Sequence, residues 1–170
     1  MRIGYICHVY PIGSYIGGVF VHELARATVS LGHEVHVLVP AHEGSPEDVE
    51  MDGVKIYQRL PPLKMMHQRS IDDSYASFPR FTMMTFMLRG MMELKKFVAQ
   101  YELDIVHAHW AIPAGLVATA SRWLHNKPVV ITAHGRDLGL YSLSGQTRPP
   151  TWARPLTKFA LSSADKVIFT

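Results

Sequence analysis

Residues 2–39 have the sequence RIGYICHVYPIGSYIGGVFVHELARATVSLGHEVHVLV. The apolar run at 2–8 predicts a strand, and a glycine-containing loop leads from it into the next element. Residues 19–31 predict a helix that ends at Gly32, where helices commonly place glycine. A second apolar run at 34–39 predicts another strand. The expected apolar stripe of the helix consists of Phe20, Leu24, Ala27 and Leu31.

The same alternation continues along the rest of the chain. Further apolar runs predict strands at 53–59, 104–109, 128–133 and 166–170. Helical patterns lie between them at 80–101, 113–125 and 151–163. Polar or proline-containing stretches predict loops at 41–51, 63–78 and 136–150. Alternating strands and helices predict an α/β fold, with a Rossmann-like parallel β-sheet and helices on both faces.

The composition is that of an ordinary globular domain. The chain has 170 residues, of which 48% are hydrophobic. This length is typical of one domain that folds without disulfides or structural metals. The single cysteine, Cys7, excludes an internal disulfide and is compatible with a reducing compartment. No apolar run is long enough to cross a bilayer, and no signal-peptide pattern is seen. We therefore expect a cytoplasmic protein.

The net charge of +3 has two interpretations. A mildly basic domain could favour phosphorylated ligands or an anionic membrane surface. Many ordinary cytosolic domains carry the same charge, however, and this second interpretation is the more common one.

Polar residues gather where the predicted parallel strands end. His8 follows the first strand, His109 ends the strand at 104–109, and His134 follows the strand at 128–133. Open parallel sheets bind their ligands at the carboxyl ends of the strands. This convergence predicts a binding site at that edge of the sheet.

Gly17 and Gly18 stand directly before the first predicted helix. Glycine lets the backbone approach a ligand closely, and a helix N-terminus offers unpaired N–H groups to a phosphate. The pair is therefore a candidate phosphate site, with a turn that binds no ligand as the alternative. The loop lacks the GxGxxG pattern of dinucleotide-binding domains, which disfavours NAD binding.

Two histidines, His107 and His109, are two residues apart on a predicted strand and so share one face. His109 is nearer the strand end and is the stronger candidate for a functional role. Either histidine could instead be buried with a satisfied hydrogen bond. Together with His134 they could hold a metal, but no carboxylate or cysteine cluster supports one.

The loop after the strand predicted at 128–133 begins with His134, Gly135, Arg136 and Asp137. A histidine and a carboxylate at this edge could orient a substrate hydroxyl or carry a proton, and Arg136 could pair with a phosphate. Alternatively, Asp137 caps a turn. Glu23, one turn into the first helix, could face the same cleft or favour the helix dipole.

The helix predicted at 80–101 combines methionines with basic side chains. Methionine provides an adaptable apolar surface, and with the charges it could rest on a membrane interface. A core helix with a solvated basic face is the more common arrangement, and we favour it. The residues concerned are Met83, Met84, Met87, Met91 and Met92, with Arg80, Arg89, Lys95 and Lys96.

Several segments resemble glycosyltransferase family 4. Each motif alone is moderately specific, but together they follow the order of the family and cover essentially the whole chain. They are the glycine pair at 17–18, GHEV at 32–35, DIVHAHW at 104–110, TAHGRD at 132–137 and ADKVI at 164–168.

The resemblance implies the GT-B fold, in which two Rossmann-like domains face each other across a cleft. It implies a retaining transfer of sugar from a nucleotide-sugar donor to an acceptor hydroxyl, without a bound metal or other cofactor. Residues 1–170 would form the N-terminal, acceptor-side domain. The C-terminal donor-binding domain, with the E-x(7)-E signature of the family, would be missing. The chain alone would therefore be inactive.

The resemblance also implies partners and residue roles. Gly17 and Gly18 would approach the donor diphosphate, and His109 would be the catalytic residue beside the transferred sugar. The acceptor could be a sugar, a lipid or a polysaccharide, and no nucleic acid is expected. Peripheral contact with the inner face of the membrane is an open alternative. The acceptor side would be lined by His134, Gly135 and Asp137, with Arg136 beside them.

Two other classes of protein compete with this interpretation. A stand-alone Rossmann-like nucleotide- or phosphate-binding module usually places an acidic cluster or a full glycine fingerprint at the sheet edge, and neither occurs here. A Rossmann-type epimerase or dehydrogenase would need GxGxxG and an acidic residue after the second strand, where residues 40–42 are PAH. The chain stops at the end of its last predicted strand, so we expect a fragment of a longer protein.

Overall fold

The computed structural model describes residues 1–13, 17–41, 46–62, 80–135 and 152–170. The strands are β1 (Arg2–Ile6), β2 (Glu34–Pro40), β3 (Asp48–Met51), β4 (Val54–Leu60), β5 (Ile105–His109), β6 (Val129–Ala133) and β7 (Lys166–Phe169). The helices are α1 (Val19–Ser30), α2 (Arg80–Gln100), α3 (Leu116–Ala120), α4 (Arg122–His125) and α5 (Ala153–Ser163). The loops predicted at 63–78 and 136–150 lie outside these ranges.

The strands form one sheet in the order β3-β4-β2-β1-β5-β6-β7. Every neighbouring pair is parallel except β3 and β4. The chain runs outwards from β1 through β2 to β4 and then places β5 on the other side of β1. This order confirms the predicted Rossmann-like sheet, and it creates a topological switch point between β1 and β5.

Helices cover both faces of the sheet, as predicted. On one face, Val21 of α1 joins a buried cluster that includes Tyr5. On the other face, Phe86 of α2 joins a separate cluster that includes Ile6. Tyr5 and Ile6 are neighbours in β1 and point to opposite faces, as the two-residue period of a strand requires. Two hydrophobic cores therefore hold the sheet between its helices.

The buried side of α1 differs from the predicted stripe. Phe20, Leu24, Ala27 and Leu31 are all exposed. α1 carries apolar residues on more than one side, and periodicity alone does not tell which side meets the sheet. The stripe prediction was therefore wrong. The buried residues of this helix are Val21, His22 and Ala25.

A short antiparallel strand occupies part of the stretch predicted as turns at 41–51. β3 pairs with β4, and the connecting residues Asp52 and Gly53 have φ angles of 53° and 77°. Two consecutive positive φ angles are typical of a two-residue hairpin turn, for which Asp-Gly is a favoured sequence. The strand escaped prediction because DVEM lies at the sheet edge and lacks the apolar pattern of a buried strand.

The helix predicted at 113–125 is divided into shorter pieces. Ala111–Gly115 form an irregular turn in which Ile112 is extended, with φ of −132° and ψ of 135°. α3 and α4 follow as two short helices. Ile112 lies just before the predicted helix, and its extended conformation is the one that a residue before proline favours. The division within the predicted range falls at Ser121, between α3 and α4, where φ is −94° and ψ is 5°.

α2 confirms the helix predicted at 80–101, and its methionines divide between two environments. Met83 is buried, whereas Met84 and Met92 are exposed. The core helix that we favoured is therefore present, but its outer face is apolar as well as basic. Across the described ranges, no helix has the length and apolar character needed to span a membrane.

Candidate functional site

The switch point between β1 and β5 brings the candidate residues to one edge of the sheet. Ile6 is in register with Ala108, so His8 and His109 emerge side by side at the carboxyl ends of these strands. β6 lies next to β5 and ends just before His134. The structure thus gathers the three histidines at the edge where open parallel sheets bind ligands. Their role in function stays a prediction.

His109 is completely buried and is held by a neighbouring ring. Its Nδ1 lies 3.2 Å from Nε2 of His134. Its own Nε2 is also buried and has no hydrogen-bond partner among the described residues. A buried polar atom without a partner costs free energy and calls for an explanation, such as a ligand or a catalytic role. The Nε2 atom therefore offers one hydrogen bond to a group that reaches it.

The hydrogen-bond chain continues from His134 to Thr170, with 3.1 Å between Nδ1 and Oγ1. A neutral imidazole donates through one nitrogen and accepts through the other. If the Thr170 hydroxyl donates to His134, then His134 donates to His109, and Nε2 of His109 becomes a donor. If every bond runs in the reverse direction, Nε2 becomes an acceptor. Nε2 of His109 can therefore donate a hydrogen bond to a ligand oxygen or accept one from a ligand hydroxyl.

The histidines at this edge are neutral at physiological pH. Burial lowers the pKa of His134 to about 4. Burial, with a smaller contribution from His134, lowers the pKa of His8 to about 3. The pKa of His109 is held well below its usual value, first by burial and then by His107 and His134. Because desolvation penalises the charged imidazolium, the rings of this cluster are neutral and would supply no cation to a phosphate.

His107 is satisfied inside the fold. Its Nε2 lies 2.7 Å from Oγ1 of Thr132, and its ring stacks on His109 with centroids 4.5 Å apart. Burial, with a smaller contribution from His134, lowers the pKa of His107 to about 4. These contacts give His107 a packing role behind the His109 ring.

Two aromatic residues that the sequence analysis did not assign to the site line the same edge. Trp110 packs against His134 and His8, with ring centroids 4.7 and 4.8 Å apart. Phe20 lies 4.7 Å from the His134 ring and 5.6 Å from the Trp110 ring, yet stays 52% exposed. The position of Trp110 directly after His109 could have identified it. Phe20 reaches the site only through the packing of α1.

Gly18 adopts a backbone conformation that favours glycine. Its φ is 76°, and a Cβ at this position would lie 2.6 Å from the carbonyl oxygen of Val9. Its own carbonyl accepts hydrogen bonds from the N–H groups of Val21 and His22, which begins α1. No side chain caps this end of the helix. Gly17, just before it, is half-buried.

The described residues include only the start of the loop after β6. Gly135 is buried and has a φ of 38°. The candidates Arg136 and Asp137 lie outside the described residues. Glu23 is exposed and pairs with Arg26 one turn further along α1, so its carboxylate is engaged on the helix surface.

A second hydrogen-bond chain, which the sequence analysis missed, links Tyr10 to α1 and to the hairpin between β3 and β4. The hydroxyl of the buried Tyr10 lies 2.7 Å from Nδ1 of His22. Nε2 of His22 lies 3.0 Å from Oδ2 of Asp52, in the hairpin between β3 and β4. The chain links this hairpin, the first turn of α1 and the segment that packs against Gly18.

The geometry gives no support to a metal site at His107, His109 and His134. The facing nitrogens of His109 and His134 are directed at each other across 3.2 Å and not at a common third point. Within the described ranges, no group of three or more His, Cys, Asp or Glu side chains is arranged to hold a metal ion.

The described sheet is Rossmann-like, and its candidate residues gather at the switch point between β1 and β5, where proteins of this fold class bind their ligands. The sequence profile of Glycosyltransferase Family 4 matches residues 17–170, and the chain belongs to this family. A comparison with curated proteins gave no match.

Solved structures share the fold at low sequence identity. Sucrose-phosphate synthase from Thermosynechococcus elongatus has a TM-score of 0.71 at 18% identity, and the match covers 98% of this chain and 41% of that one. UGT73P12 from Glycyrrhiza uralensis has a TM-score of 0.54 at 10% identity, covering 99% and 43%. A UDP-N-acetylglucosamine 2-epimerase has a TM-score of 0.53 at 13% identity, covering 98% and 41%. This likeness establishes the fold alone, and the chain spans 41–43% of the length of these proteins.

Proposed function

We propose that the chain is the N-terminal, acceptor-side domain of a retaining glycosyltransferase that moves a sugar from a nucleotide-sugar to an acceptor hydroxyl. Membership of Glycosyltransferase Family 4 supports the class of reaction. The observation that carries the proposal is the buried Nε2 of His109, which has no hydrogen-bond partner among the described residues and is oriented through His134. A second domain would supply the donor-binding half, in line with the 41% of sucrose-phosphate synthase that this chain spans.

In this proposal His109 is the catalytic residue and acts as a neutral hydrogen-bonding group. Its Nε2 can bind a hydroxyl of the transferred sugar as donor or as acceptor. Because its pKa lies well below the usual value, it positions the sugar at neutral pH without carrying charge. His134 does not need to touch the sugar. It is a positioning residue that fixes the His109 ring.

The glycine pair forms the donor side of the proposed site. The absence of a side chain at Gly18 lets the loop fold closely against Val9, and the start of α1 presents its N–H groups to a diphosphate. The neutral histidine cluster contributes no positive charge, so cationic groups must come from elsewhere. Arg136 is our candidate in this chain.

The acceptor side is assigned to the loop after β6, with Gly135 and Asp137 as its residues, and His134 at the start of this loop orients His109. Metal independence is part of the proposal, because the described site offers imidazoles and hydroxyls and not the carboxylate oxygens that Mg²⁺ prefers. Equal activity in Mg²⁺ and in a chelator is the expected result.

Sugar release from a panel of UDP-, GDP- and ADP-sugars by the full-length protein tests the proposal. We expect slow hydrolysis of one donor by the wild type and a loss of about 100-fold or more in His109→Ala. His33→Ala is the matched control, because His33 lies just before β2 at the opposite edge of the sheet. Analysis of the released sugar separates transfer from epimerisation.

A folded full-length protein that neither binds nor cleaves any sugar nucleotide would contradict the proposal. It would favour the alternative, a stand-alone Rossmann-like nucleotide- or phosphate-binding module. We also expect the chain of 170 residues to be inactive by itself. Sugar transfer by that chain would refute the assignment of donor binding to a second domain.

A further inference from the structure

The outer face of α2 presents an apolar stripe to solvent. Phe81, Met84, Leu88 and Met92 recur every three or four residues and are 73%, 54%, 61% and 51% exposed. The opposite side of the helix faces the core through residues such as Phe86. Apolar residues that are scattered singly need no explanation, but a contiguous exposed patch marks an interaction surface. We name these four residues the α2 stripe.

Basic side chains accompany the α2 stripe. Arg89, Lys95 and Lys96 are exposed on the same helix. Glu93 is the single carboxylate in the sequence of α2, and it pairs with Lys96 at 2.7 Å. Cations therefore exceed anions around the stripe. Apolar residues bordered by lysine and arginine are typical of a helix that lies in a membrane interface, where its cations meet anionic headgroups.

A groove of about 560 Å³ widens this surface. Pro61 and Pro62 line it together with Leu88 and Met92. Its charged lining consists of Arg59, Arg89 and one carboxylate, Glu93, so cations exceed anions here as well. The apolar area therefore extends beyond one helix, and a guanidinium lies beside it. This combination suits a lipid whose acyl region meets the apolar residues while its phosphate meets Arg89.

The α2 stripe begins at the same edge of the fold as the histidine cluster. The segment after α2 leads directly into β5, where the N–H of Asp104 binds the carbonyl of Arg2 at the start of β1. The first turns of α2 therefore lie towards the carboxyl ends of the strands. There Met83 packs with Ile112, three residues after His109. A surface bound by the stripe would lie close to the candidate site.

We propose that the α2 stripe docks the protein on a membrane that contains anionic phospholipid. The apolar residues reach the acyl boundary, and the basic residues of the same helix contact the headgroups. Charge complementarity favours an anionic membrane as the binding partner, because its lipid surface pairs with the excess of cations around the stripe. The proposal does not rest on the glycosyltransferase activity, since it concerns a surface outside the histidine cluster.

Co-sedimentation of the full-length protein with lipid vesicles tests this docking. Vesicles of phosphatidylcholine with about 30 mol% phosphatidylglycerol are compared with pure phosphatidylcholine. We expect binding to the anionic vesicles that weakens as salt is added, and little binding to the neutral ones. Binding that is equal on both, or absent from the anionic vesicles, overturns the proposal.

Substitutions separate the apolar from the electrostatic contribution. Combining Phe81→Ser with Leu88→Ser should lower the partition coefficient about tenfold or more. Leu31→Ser is the matched control, because Leu31 is exposed at the end of α1, outside the stripe. Lys95→Gln should lower binding about fivefold, whereas the exposed Lys158→Gln on α5 should leave it unchanged.

The variants replace exposed side chains, so their melting temperatures should match that of the wild type. If the serine pair fails to fold, Met84→Ser and Met92→Ser provide the same comparison. Wild-type binding by the stripe variants contradicts the proposal, and so does self-association of the wild type that these variants abolish. If the protein transfers sugar but does not bind vesicles, only the docking proposal is refuted. If it binds vesicles but does not transfer sugar, only the proposed function is refuted.

Discussion

Nδ1 of His109 and Nε2 of His134 lie 3.2 Å apart, and the planes of the two rings differ by 16°. The contact joins residues at the ends of two neighbouring strands. Because His134 also hydrogen-bonds Thr170, its ring cannot rotate without losing a second bond. His134 thus fixes the direction in which Nε2 of His109 faces, and the two rings act as one unit.

The effects of substituting these two histidines should be non-additive. His109→Ala removes the group that we place beside the sugar, whereas His134→Ala only releases its orientation and should lower kcat about tenfold. In the double variant, the loss should equal that of His109→Ala alone, because no ring remains to be oriented. Steady-state kinetics of the full-length variants measure the coupling. Losses that multiply would show that the two residues act independently.

Replacing Gly18 should lower the free energy of unfolding more than replacing Gly32. Both glycines have a positive φ, but only Gly32 has free space where a Cβ would lie. Gly18→Ala combines a φ of 76° with a Cβ 2.6 Å from the Val9 oxygen. Gly32→Ala has a φ of 84° but meets no atom within 4 Å. We expect a loss of about 1 kcal/mol in the free energy of unfolding for Gly32→Ala, and a further loss of about 2 kcal/mol for Gly18→Ala. Urea denaturation measures both, and equal losses would contradict the close packing of the loop.

The hydrogen-bond chain Tyr10–His22–Asp52 should contribute to stability mainly through its buried end, the bond between Tyr10 and His22. Tyr10→Phe leaves Nδ1 of His22 buried without a partner and should cost about 1–3 kcal/mol of unfolding free energy. Asp52→Asn keeps an acceptor oxygen at an exposed position and suits the positive φ of the turn, so it should cost less than about 1 kcal/mol. Chemical denaturation compares the two variants. A larger loss for Asp52→Asn would mean that the charge of Asp52, and not the buried tyrosine, dominates the chain.

Acidification should destabilise the fold through its buried histidines. The pKa values of His107 and His134 are lowered to about 4, compared with about 6.5 in an unfolded chain. Between these two pH values the unfolded state binds more protons than the folded state, so stability falls as the pH falls. Melting temperatures measured from pH 7 to pH 4 should decline, with little change above about pH 6.5.

A variant isolates the contribution of one histidine to this pH dependence. Gln at position 107 cannot titrate, and its amide can still hydrogen-bond Thr132. His107→Gln should therefore show a shallower decline than the wild type over the same pH range. An identical pH profile in the variant would exclude His107 from this effect.

Local patterns in the sequence were enough to predict the order of most strands and helices. The apolar runs of β1, β2, β4 and β5 identify buried strands, because a strand covered on both faces needs apolar residues at nearly every position. The same logic misses β3, whose residues lie at the sheet edge. It also misses the break at Ser121, which divides the helix predicted at 113–125 into α3 and α4.

The sequence by itself also determined that His8, His109 and His134 would gather, because the carboxyl ends of parallel strands must meet at one edge. Only the tertiary structure decided which side chains touch there. Phe20 faces the histidines instead of the core because α1 packs through Val21, His22 and Ala25. The alignment of β5 and β6 brings Nδ1 of His109 against His134, and Nε2 has no partner in the part of the chain that the structure describes. Such contacts join segments far apart in the chain, and their geometry depends on packing between elements, which no local periodicity encodes.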